Sequence, residues 1–405
     1  MKADGLAGFD YWYKNMYHYI NQWDHVKELK SSQKLAIHEC GAPQDYAKLE
    51  LPMSEQVIGR LISFAQLGDI IQPKRKENNG YFVFLVDKYF EGKSLPDQLP
   101  VEGKDRLIFV DVEEHEPTTD QVDGIRDELL EYNGLPSGLV GIGGGSVMDI
   151  AKAVSVMLNQ PGYSPQYQGL NLAVNPGVYH VGVPTVAGTG SECSITAVLT
   201  GPEKKLGIKC EWTPFDQIIL DPDLVATVPK NQWFYTGMDT FIHDEESKSG
   251  IFYNTFAAAY GDKSLALCEE IFLGPNAGQN PENDEKLMIA SLFGGLSLTY
   301  SEVGACHALS YGLSYVFGDR HGYANCIAFN HLEEFYGDGV KKFKEMVARH
   351  EVPLPQNRAA NWTEDEIMKM AQVAYNLPHM WHHALGEDWK NKISVEKIAD
   401  LYRRM

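Results

Sequence analysis

Four residues have the types and spacing of a divalent-metal site. Asp239 and His243 lie four residues apart in GMDTFIHDEES, so on a helix both side chains project from one face, about one turn apart. His307 and His321 bracket the segment HALSYGLSYVFGDRH and offer two further nitrogen atoms. One carboxylate with three imidazoles is a mixed oxygen and nitrogen ligand set that suits Fe²⁺, Zn²⁺, Mn²⁺ or Ni²⁺.

Other groups nearby allow different interpretations. An isolated Asp-x-x-x-His pair is commonly a surface pair, and the three carboxylates at 244–246 fit either a solvated helix face or a second layer around the ligands. The histidines of HMWHH at 379–383 also have helical spacing and form a weaker candidate metal site. We assign Cys306 to packing rather than to the ligand set.

Two glycine-rich loops indicate a nucleotide site. The first, GGGS at 143–146, follows a predicted strand and opens a predicted helix, where free N–H groups attract phosphate. Ser146 and Asp149 also have the spacing of a capping box, so part of this motif is compatible with helix capping alone. The second loop, PTVAGTGSE at 184–192, follows the next strand. Two such loops at one sheet favour a dinucleotide over a single phosphate.

Asp87 ends the first predicted strand and bears on the choice of dinucleotide. A carboxylate there could bind a ribose hydroxyl and would repel a 2′-phosphate, which favours NAD over NADP. The alternative is that Asp87 caps a helix or stabilises a turn.

The elements that position these residues fall into two parts. Apolar strand patterns at 81–87, 106–112, 138–146 and 178–184 alternate with helical patterns at 120–132 and 147–158, which predicts a mostly parallel sheet. From about residue 230 the chain is predicted to be helical, at 232–250, 252–272, 284–300, 303–316, 323–336, 338–350, 363–376 and 393–404. We therefore predict an aromatic-rich extension at 1–48, an α/β dinucleotide-binding domain at 49–235 and an all-helical metal-binding domain at 236–405.

Composition narrows the class of protein. The 405 residues carry a formal net charge of −20, which argues against nucleic acids and anionic membranes as partners. The chain has no apolar run of about eighteen residues, no basic and apolar leader pattern, and six cysteines without a C-x-x-C pair. We expect a cytoplasmic protein with reduced thiols that binds small molecules.

The motifs occur together in an order that resembles a known family. GGGSVMD, PTVAGTGSE, LDPDLVATVP, GMDTFIH and the two histidines of HALSYGLSYVFGDRHG, spread between residues 143 and 322, resemble the iron-containing, group III alcohol dehydrogenases. The resemblance runs from about residue 55 to beyond 330. It implies a dehydroquinate synthase-like fold, in which a nicotinamide cofactor lies between an N-terminal α/β domain and a C-terminal helical domain. It also implies a homodimer.

The resemblance implies roles for individual residues. Hydride transfer between an alcohol carbon and the nicotinamide would take place beside a metal, Fe²⁺ or Zn²⁺, that binds the substrate oxygen. The implied metal ligands are Asp239, His243, His307 and His321. The implied cofactor-binding residues are Asp87, Gly144, Gly145, Ser146, Asp149, Thr185, Thr189 and Lys205.

Tyr311 departs from the family pattern, because many members carry a second histidine there. Tyr311 could relay a proton, bind a sugar hydroxyl, or be a buried tyrosine whose hydroxyl is hydrogen-bonded. With WFYTGMD upstream, HALSYGLSYVFG looks most like the sugar-acid branch of the family. That branch includes the enzyme that oxidises C8 of 3-deoxy-D-manno-octulosonate in lipopolysaccharide sugar biosynthesis, which is the substrate we predict.

Three other functions stay open at this point. They are a general alcohol or diol dehydrogenase, a lyase of the dehydroquinate-synthase type, and a cofactor-binding subunit without turnover. The set of one aspartate and three histidines argues against the lyase, and so does the lack of a recognised basic phosphate-binding cluster. The intact ligand set and both glycine loops argue against an inactive subunit, which need not keep them.

Overall fold

The computed structural model describes residues 64–112 and 116–405, so the predicted extension at 1–48 lies outside the described residues. Strands are concentrated in the first half of the described chain. In chain order they are β1 Phe82–Asp87, β2 Arg106–Val110, β3 Gly138–Gly143, β4 Gly169–Leu170, β5 His180–Pro184, β6 Thr196–Thr200, β7 Lys205–Lys209 and β8 Gln217–Ile218.

The larger sheet is parallel, as predicted. Its order is β2-β1-β3-β5-β8, and every neighbouring pair runs in the same direction. β1 is apolar from Phe82 to Val86 because both of its faces are covered there. Phe82, Phe84 and Val86 enter one core cluster, whereas Val83 and Leu85 enter the other. The carboxyl ends of β1, β3 and β5 therefore deliver Asp87 and both glycine loops to one edge of the sheet.

A smaller, second sheet was not predicted. β6 and β7 form an antiparallel hairpin, and the two-residue β4 pairs with β7 in parallel. The hairpin sequence TAVLTGPEKKLGIK alternates between buried and partly exposed side chains and has no continuous apolar run. The hairpin therefore lacks the continuous apolar pattern that predicts a buried strand.

Most of the helices follow the sheet along the chain, and most lie within a few residues of their predicted positions. The predicted helix at 323–336 is interrupted near Leu332, and two short helices after residue 377 were not predicted. The helices are α1 Leu67–Ile71, α2 Thr119–Asn133, α3 Gly145–Met157, α4 Lys230–Ser249, α5 Thr255–Leu273, α6 Pro281–Tyr300, α7 Ala305–Phe317, α8 His321–Phe329, α9 Glu333–Tyr336, α10 Asp338–His350, α11 Glu364–Tyr375, α12 Pro378–Leu385, α13 Trp389–Lys392 and α14 Val395–Tyr402.

An α/β sheet region followed by a helical region is the predicted fold class. The proposed limit between the two, at residues 235 and 236, falls inside α4. Among the described residues, no helix has the length and apolar character needed to cross a bilayer.

The second glycine loop joins the two regions. The Gly188 N–H donates to Ser291 Oγ at 2.9 Å on α6, and Thr240 Oγ1 on α4 donates to the Gly188 carbonyl at 2.7 Å. Gly188 has φ +150°, and a Cβ there would lie 1.9 Å from the carbonyl oxygen of Thr236. Only glycine permits this approach, so part of the loop predicted to bind cofactor serves the packing of the two regions.

Candidate functional site

The four predicted metal ligands come together although they lie on three helices. Asp239 and His243 are on α4, His307 is on α7, and His321 begins α8. One candidate ligand atom from each residue can be chosen so that all four lie within 4.8 Å of one another. Among the described residues, these four form the group of His, Cys, Asp or Glu side chains that could hold a metal ion.

The distances and burial fit a divalent cation. His307 Nε2 lies 3.5 Å from Asp239 Oδ1, and His321 Nε2 lies 3.4 Å from Asp239 Oδ2. Two ligands that are each about 2.1 Å from a tetrahedral cation lie about 3.4 Å apart. Asp239 is fully buried, and its Oδ2 has no hydrogen-bond partner among the described residues. An unpaired buried carboxylate oxygen is costly, and a cation would satisfy it.

The electrostatics also favour a cation. Burial opposes ionisation of Asp239, but the neighbouring histidines outweigh burial and hold its pKa well below the usual range. Burial lowers the pKa of His243 to about 4 and also lowers that of His321, so both rings are neutral and can act as ligands. Burial acts in the same direction on His307, but the carboxylate of Glu246 outweighs it and raises the pKa to about 9. A positive charge is therefore stabilised at His307, whether from a proton or from a metal.

Glu246 and Asn325 support the ligands. Glu246 is one of the three carboxylates for which a second layer was a predicted alternative, whereas Asn325 was not predicted. The carboxylate of Glu246 contacts His307 Nδ1, accepts from the backbone N–H of Cys306 at 2.7 Å, and accepts from Tyr336 Oη at 3.0 Å. Asn325 Nδ2 lies 2.6 Å from Asp239 Oδ1, with the Nε2 atoms of His307 and His321 at 3.1 and 3.2 Å. Glu246 lies three residues after His243, and Asn325 lies four residues after His321. This helical spacing places each on the same helix face as a ligand, and it was the sequence signal by which they could have been found.

The carboxylates at 244–246 do not form a solvated face. Glu246 is 1% exposed and orients His307, so it belongs to the second layer around the ligands. Asp244 is also 1% exposed, and neither of its carboxylate oxygens has a hydrogen-bond partner in the described part of the chain. Burial raises its pKa well above the usual range.

A single cavity of about 880 Å³ connects the ligand cluster with the glycine loops. The N-terminus of α3 opens at Gly144, whose position as N-cap provides no side-chain acceptor for the first N–H groups. A dinucleotide phosphate fits such a helix end. All the predicted cofactor-binding residues line this cavity: Asp87, Gly144, Gly145, Ser146, Asp149, Thr185, Thr189 and Lys205.

The alternative interpretation of Ser146 and Asp149 as a capping box is wrong. The N-cap of α3 is Gly144, so Ser146 lies within the helix. The Asp149 carboxylate instead accepts from Ser191 Oγ at 2.5 Å and from the Val198 N–H at 3.1 Å. Asp149 thus ties the second glycine loop to α3, and this structural contact accounts for both of its oxygens.

Asp87 and Lys205 each have a protein contact in addition to their place in the cavity. Asp87 Oδ1 accepts from the Tyr89 N–H at 3.0 Å, so the predicted turn contact is present as well. Lys205 Nζ lies 3.3 Å from Glu116 Oε2 and 4.8 Å from the centre of the Tyr311 ring. It is buried and lacks a hydrogen bond of good geometry to any described residue. Lys205 therefore lies near the ligand cluster, where it could bind a ligand oxygen.

Tyr311 faces the cavity beside the metal ligands. Its ring centre lies 6.1 Å from that of His321, and its hydroxyl has no hydrogen bond within the described residues. Burial and the carboxylates of Asp149 and Glu116 raise its pKa, so the phenol stays protonated. The geometry does not support a buried tyrosine with a hydrogen-bonded hydroxyl.

The HMWHH group does not form a metal site. His383 Nε2 lies 3.0 Å from the Glu246 carbonyl and its Nδ1 is 3.3 Å from the Phe252 N–H, so this ring joins α12 to the end of α4. His382 packs edge-on against the Phe252 ring. His379 alone of the three lines the cavity.

Comparison with known proteins decides the family. One family model, described as iron-containing alcohol dehydrogenase, matches residues 64–222, and a second, described as the C-terminal part of the Fe-containing alcohol dehydrogenase family, matches residues 233–403. The chain belongs to the iron-containing alcohol dehydrogenase family. The first match ends after β8 and the second begins within the first turn of α4, close to the change from sheet to helices.

The individual relatives are distant in sequence. The sulfoacetaldehyde reductase of Bilophila wadsworthia is 30% identical over 57% of this chain, which spans 60% of that reductase. An alcohol dehydrogenase of Thermococcus barophilus is 27% identical over 71% of this chain and 82% of its own length.

Solved structures agree on the fold. An iron-containing alcohol dehydrogenase from Thermotoga maritima matches with a TM-score of 0.70 at 22% identity, over 85% of this chain and 96% of that one. The sulfoacetaldehyde reductase from Bifidobacterium kashiwanohense, solved in complex with NAD⁺, matches with a TM-score of 0.69 at 20% identity, over 86% and 96%.

Proposed function

We propose that this protein is an oxidoreductase that interconverts an alcohol and its carbonyl compound, using NAD and a divalent cation, Fe²⁺ or Zn²⁺. The position of the ligand cluster carries the proposal. His243, His307 and His321 line the same cavity that contains the open N-terminus of α3. Hydride transfer requires the cofactor and the substrate carbon to be in contact, and one cavity offers both binding sites.

The protein residues hold and orient the reactants. When bound, the nicotinamide exchanges a hydride and the cation acts as a Lewis acid on the alcohol oxygen. Asp239 and the three histidines hold the cation, and Glu246 fixes the ring of His307. The carboxylate of Glu116 accepts from the His321 N–H at 3.1 Å and faces Lys205, so it fixes the start of α8 beside the cavity.

Tyr311 is proposed to bind the substrate. Because its pKa is raised, the phenol is a poor base but a persistent hydrogen-bond donor. Its hydroxyl, without a partner among the described residues, suits a substrate hydroxyl better than a proton relay.

Asp87 is proposed to select NAD over NADP by repelling a 2′-phosphate. Asp87→Asn keeps the acceptor that caps the Tyr89 N–H but removes the charge. We expect the ratio of kcat/KM for NADP⁺ to that for NAD⁺ to rise at least about tenfold. Steady-state kinetics with both nucleotides measures this ratio, and an unchanged value would remove Asp87 from cofactor selection.

The substrate is proposed to be a polyhydroxylated acid, specifically the C8 hydroxyl of 3-deoxy-D-manno-octulosonate in lipopolysaccharide sugar biosynthesis. The Tyr311 hydroxyl and the Lys205 ammonium add polar contacts beside the ligand cluster. The cavity volume is at the large end for ligand sites, as expected for a dinucleotide with a substrate larger than a short alcohol.

A substrate screen tests the function. Metal-loaded protein is mixed with NAD⁺ or NADP⁺ and with short alcohols, diols or 3-deoxy-D-manno-octulosonate, and the reduced nicotinamide is followed by absorbance. We expect NAD⁺ reduction with the sugar acid at a higher kcat/KM than with short alcohols. Turnover of short alcohols alone would refute the sugar-acid substrate, and no turnover of any alcohol would refute the oxidoreductase.

A further inference from the structure

A second polar cluster lines the cavity and is not explained by the metal ligands or the glycine loops. Lys209 ends β7, Glu302 lies between α6 and α7, and His379 is in the first turn of α12. Lys209 Nζ lies 3.5 Å from Glu302 Oε2. His379 lies close enough to affect the ionisation of Glu302. Three separate elements therefore bring one cation, one anion and one imidazole to the same wall.

The cluster has more free donors than free acceptors. Glu302 Oε1 accepts from the Val303 N–H at 3.1 Å, and its other oxygen faces Lys209, so both oxygens are engaged. Lys209 has three N–H donors, and its side chain remains 25% exposed. The His379 ring makes no hydrogen bond within the described residues. Such a cluster suits a ligand group that is rich in acceptor oxygens.

The position of Lys209 relative to Lys205 favours an extended ligand. Both lie on β7 four residues apart, so they share one face of the strand with about 13 Å between their Cα atoms. Lys205 is beside Tyr311 and therefore marks the metal end of the cavity. Lys209 therefore lies farther along the cavity lining than Lys205, and a chain of several carbons is needed to extend from the one lysine toward the other.

The surroundings make the cluster selective. Val303 and Met380, which follow Glu302 and His379 in the sequence, are buried apolar residues that line the same cavity. A charged contact is stronger beside apolar side chains than in water. A ligand whose end carries no oxygen atoms would give Lys209 no new hydrogen-bond partner and would therefore bind less well.

We propose that Lys209, Glu302 and His379 form a subsite for the carboxylate end of an extended hydroxy acid whose other end is oxidised. Lys209 and His379 contact the carboxylate, and Glu302 holds Lys209 in position. This inference rests on the proposed function, and it adds the residues that distinguish an acidic substrate from a neutral one.

Three six-carbon primary alcohols test the subsite: 1-hexanol, D-glucitol and D-gluconate. With metal-loaded protein and NAD⁺, we expect Lys209→Met to lower the ratio of kcat/KM for gluconate to that for glucitol at least about tenfold, mainly through KM. Lys209→Arg should recover part of the loss. Lys263→Met, at an exposed lysine on α5, should leave the ratio unchanged. An equal loss on all three substrates, or an equal loss on gluconate and glucitol, would overturn the proposal.

A binding measurement separates this proposal from the proposed function. Calorimetric titration of gluconate into the metal- and NAD⁺-loaded protein does not depend on turnover. If wild type turns over none of the alcohols, the oxidoreductase fails, but weaker gluconate binding to Lys209→Met than to wild type still supports the subsite. Equal gluconate affinity in the two proteins would overturn it.

Discussion

Glu246 does not line the cavity, yet its carboxylate holds His307 in the orientation needed to bind a metal. Glu246→Gln keeps the size of the side chain and removes the charge that favours a cation at His307. We expect metal affinity to fall by about 10- to 100-fold. Competition with a chelator measures this change, and Glu245→Gln, at the adjacent residue, is the control. Equal affinity in both variants would show that Glu246 does not act through His307.

Asp244 follows the metal ligand His243 in the sequence, and we expect its carboxyl group to lower the stability of the folded protein. Its buried carboxyl has no hydrogen bond of good geometry in the described part of the chain, and burial outweighs the nearby Ser264 hydroxyl and raises its pKa. Asp244→Asn removes an ionisable group from this position, so the free energy of unfolding should rise by about 1–3 kcal/mol at neutral pH. Urea denaturation of the metal-free protein measures this difference. A less stable variant would indicate a favourable interaction of the carboxylate.

Site residues that are marked by a local sequence pattern or by the family motifs could be predicted. Asp239 and His243 share a helix turn, and the resemblance identified His307 and His321 with them. Glu116 and Lys209 could not be predicted in the same way. Their partners lie about 90 to 200 residues away, and only the folded chain brings them together.

At the scale of elements, the N-terminus of α3 distinguishes two glycines with different roles. A Cβ at Gly144 would lie 3.6 Å from the nearest side chain, an ordinary contact, whereas a Cβ at Gly145 would lie 2.8 Å from Thr189 Oγ1. We expect Gly144→Ala to fold with wild-type stability but to bind NAD⁺ at least about tenfold more weakly, because the methyl group is added to the cavity lining at the helix end proposed to bind phosphate. Gly145→Ala should lose both stability and binding.

Thermal unfolding and nucleotide fluorescence separate these two outcomes. The prediction for Gly144 fails if the alanine variant binds NAD⁺ as tightly as wild type, because the helix end would then not approach the phosphates. A large loss of stability in Gly144→Ala would contradict the open space around that position.

The parallel strands and long helices were predictable because each has a sustained local pattern. β1, β3 and β5 are continuous apolar runs, and the helices from α4 onward repeat at helical spacing. The β6–β7 hairpin has short, partly exposed strands and was missed, and so was its role in carrying Lys205 and Lys209 along the cavity. α12 was missed as a helix even though its histidines had helical spacing.

At the scale of the whole molecule, the site depends on contacts between the two regions. The metal ligands come from the helical region and the phosphate loop from the sheet region, while Gly188 and Glu116 link the two. The order of motifs along the chain predicted this arrangement through its resemblance to a family. The contacts that fix it depend on close packing between residues distant in sequence, which no local pattern reports.

The most direct test of the central claim is the dependence of NAD⁺ reduction on bound metal. Protein stripped with a chelator is titrated with Fe²⁺ or Zn²⁺, and bound metal and turnover of a primary alcohol are measured on the same samples. We expect turnover to rise in proportion to bound metal and to saturate at about one ion per chain, and His307→Ala to show neither change. Full turnover by metal-free wild-type protein, or undiminished metal binding by His307→Ala, would contradict the proposed site.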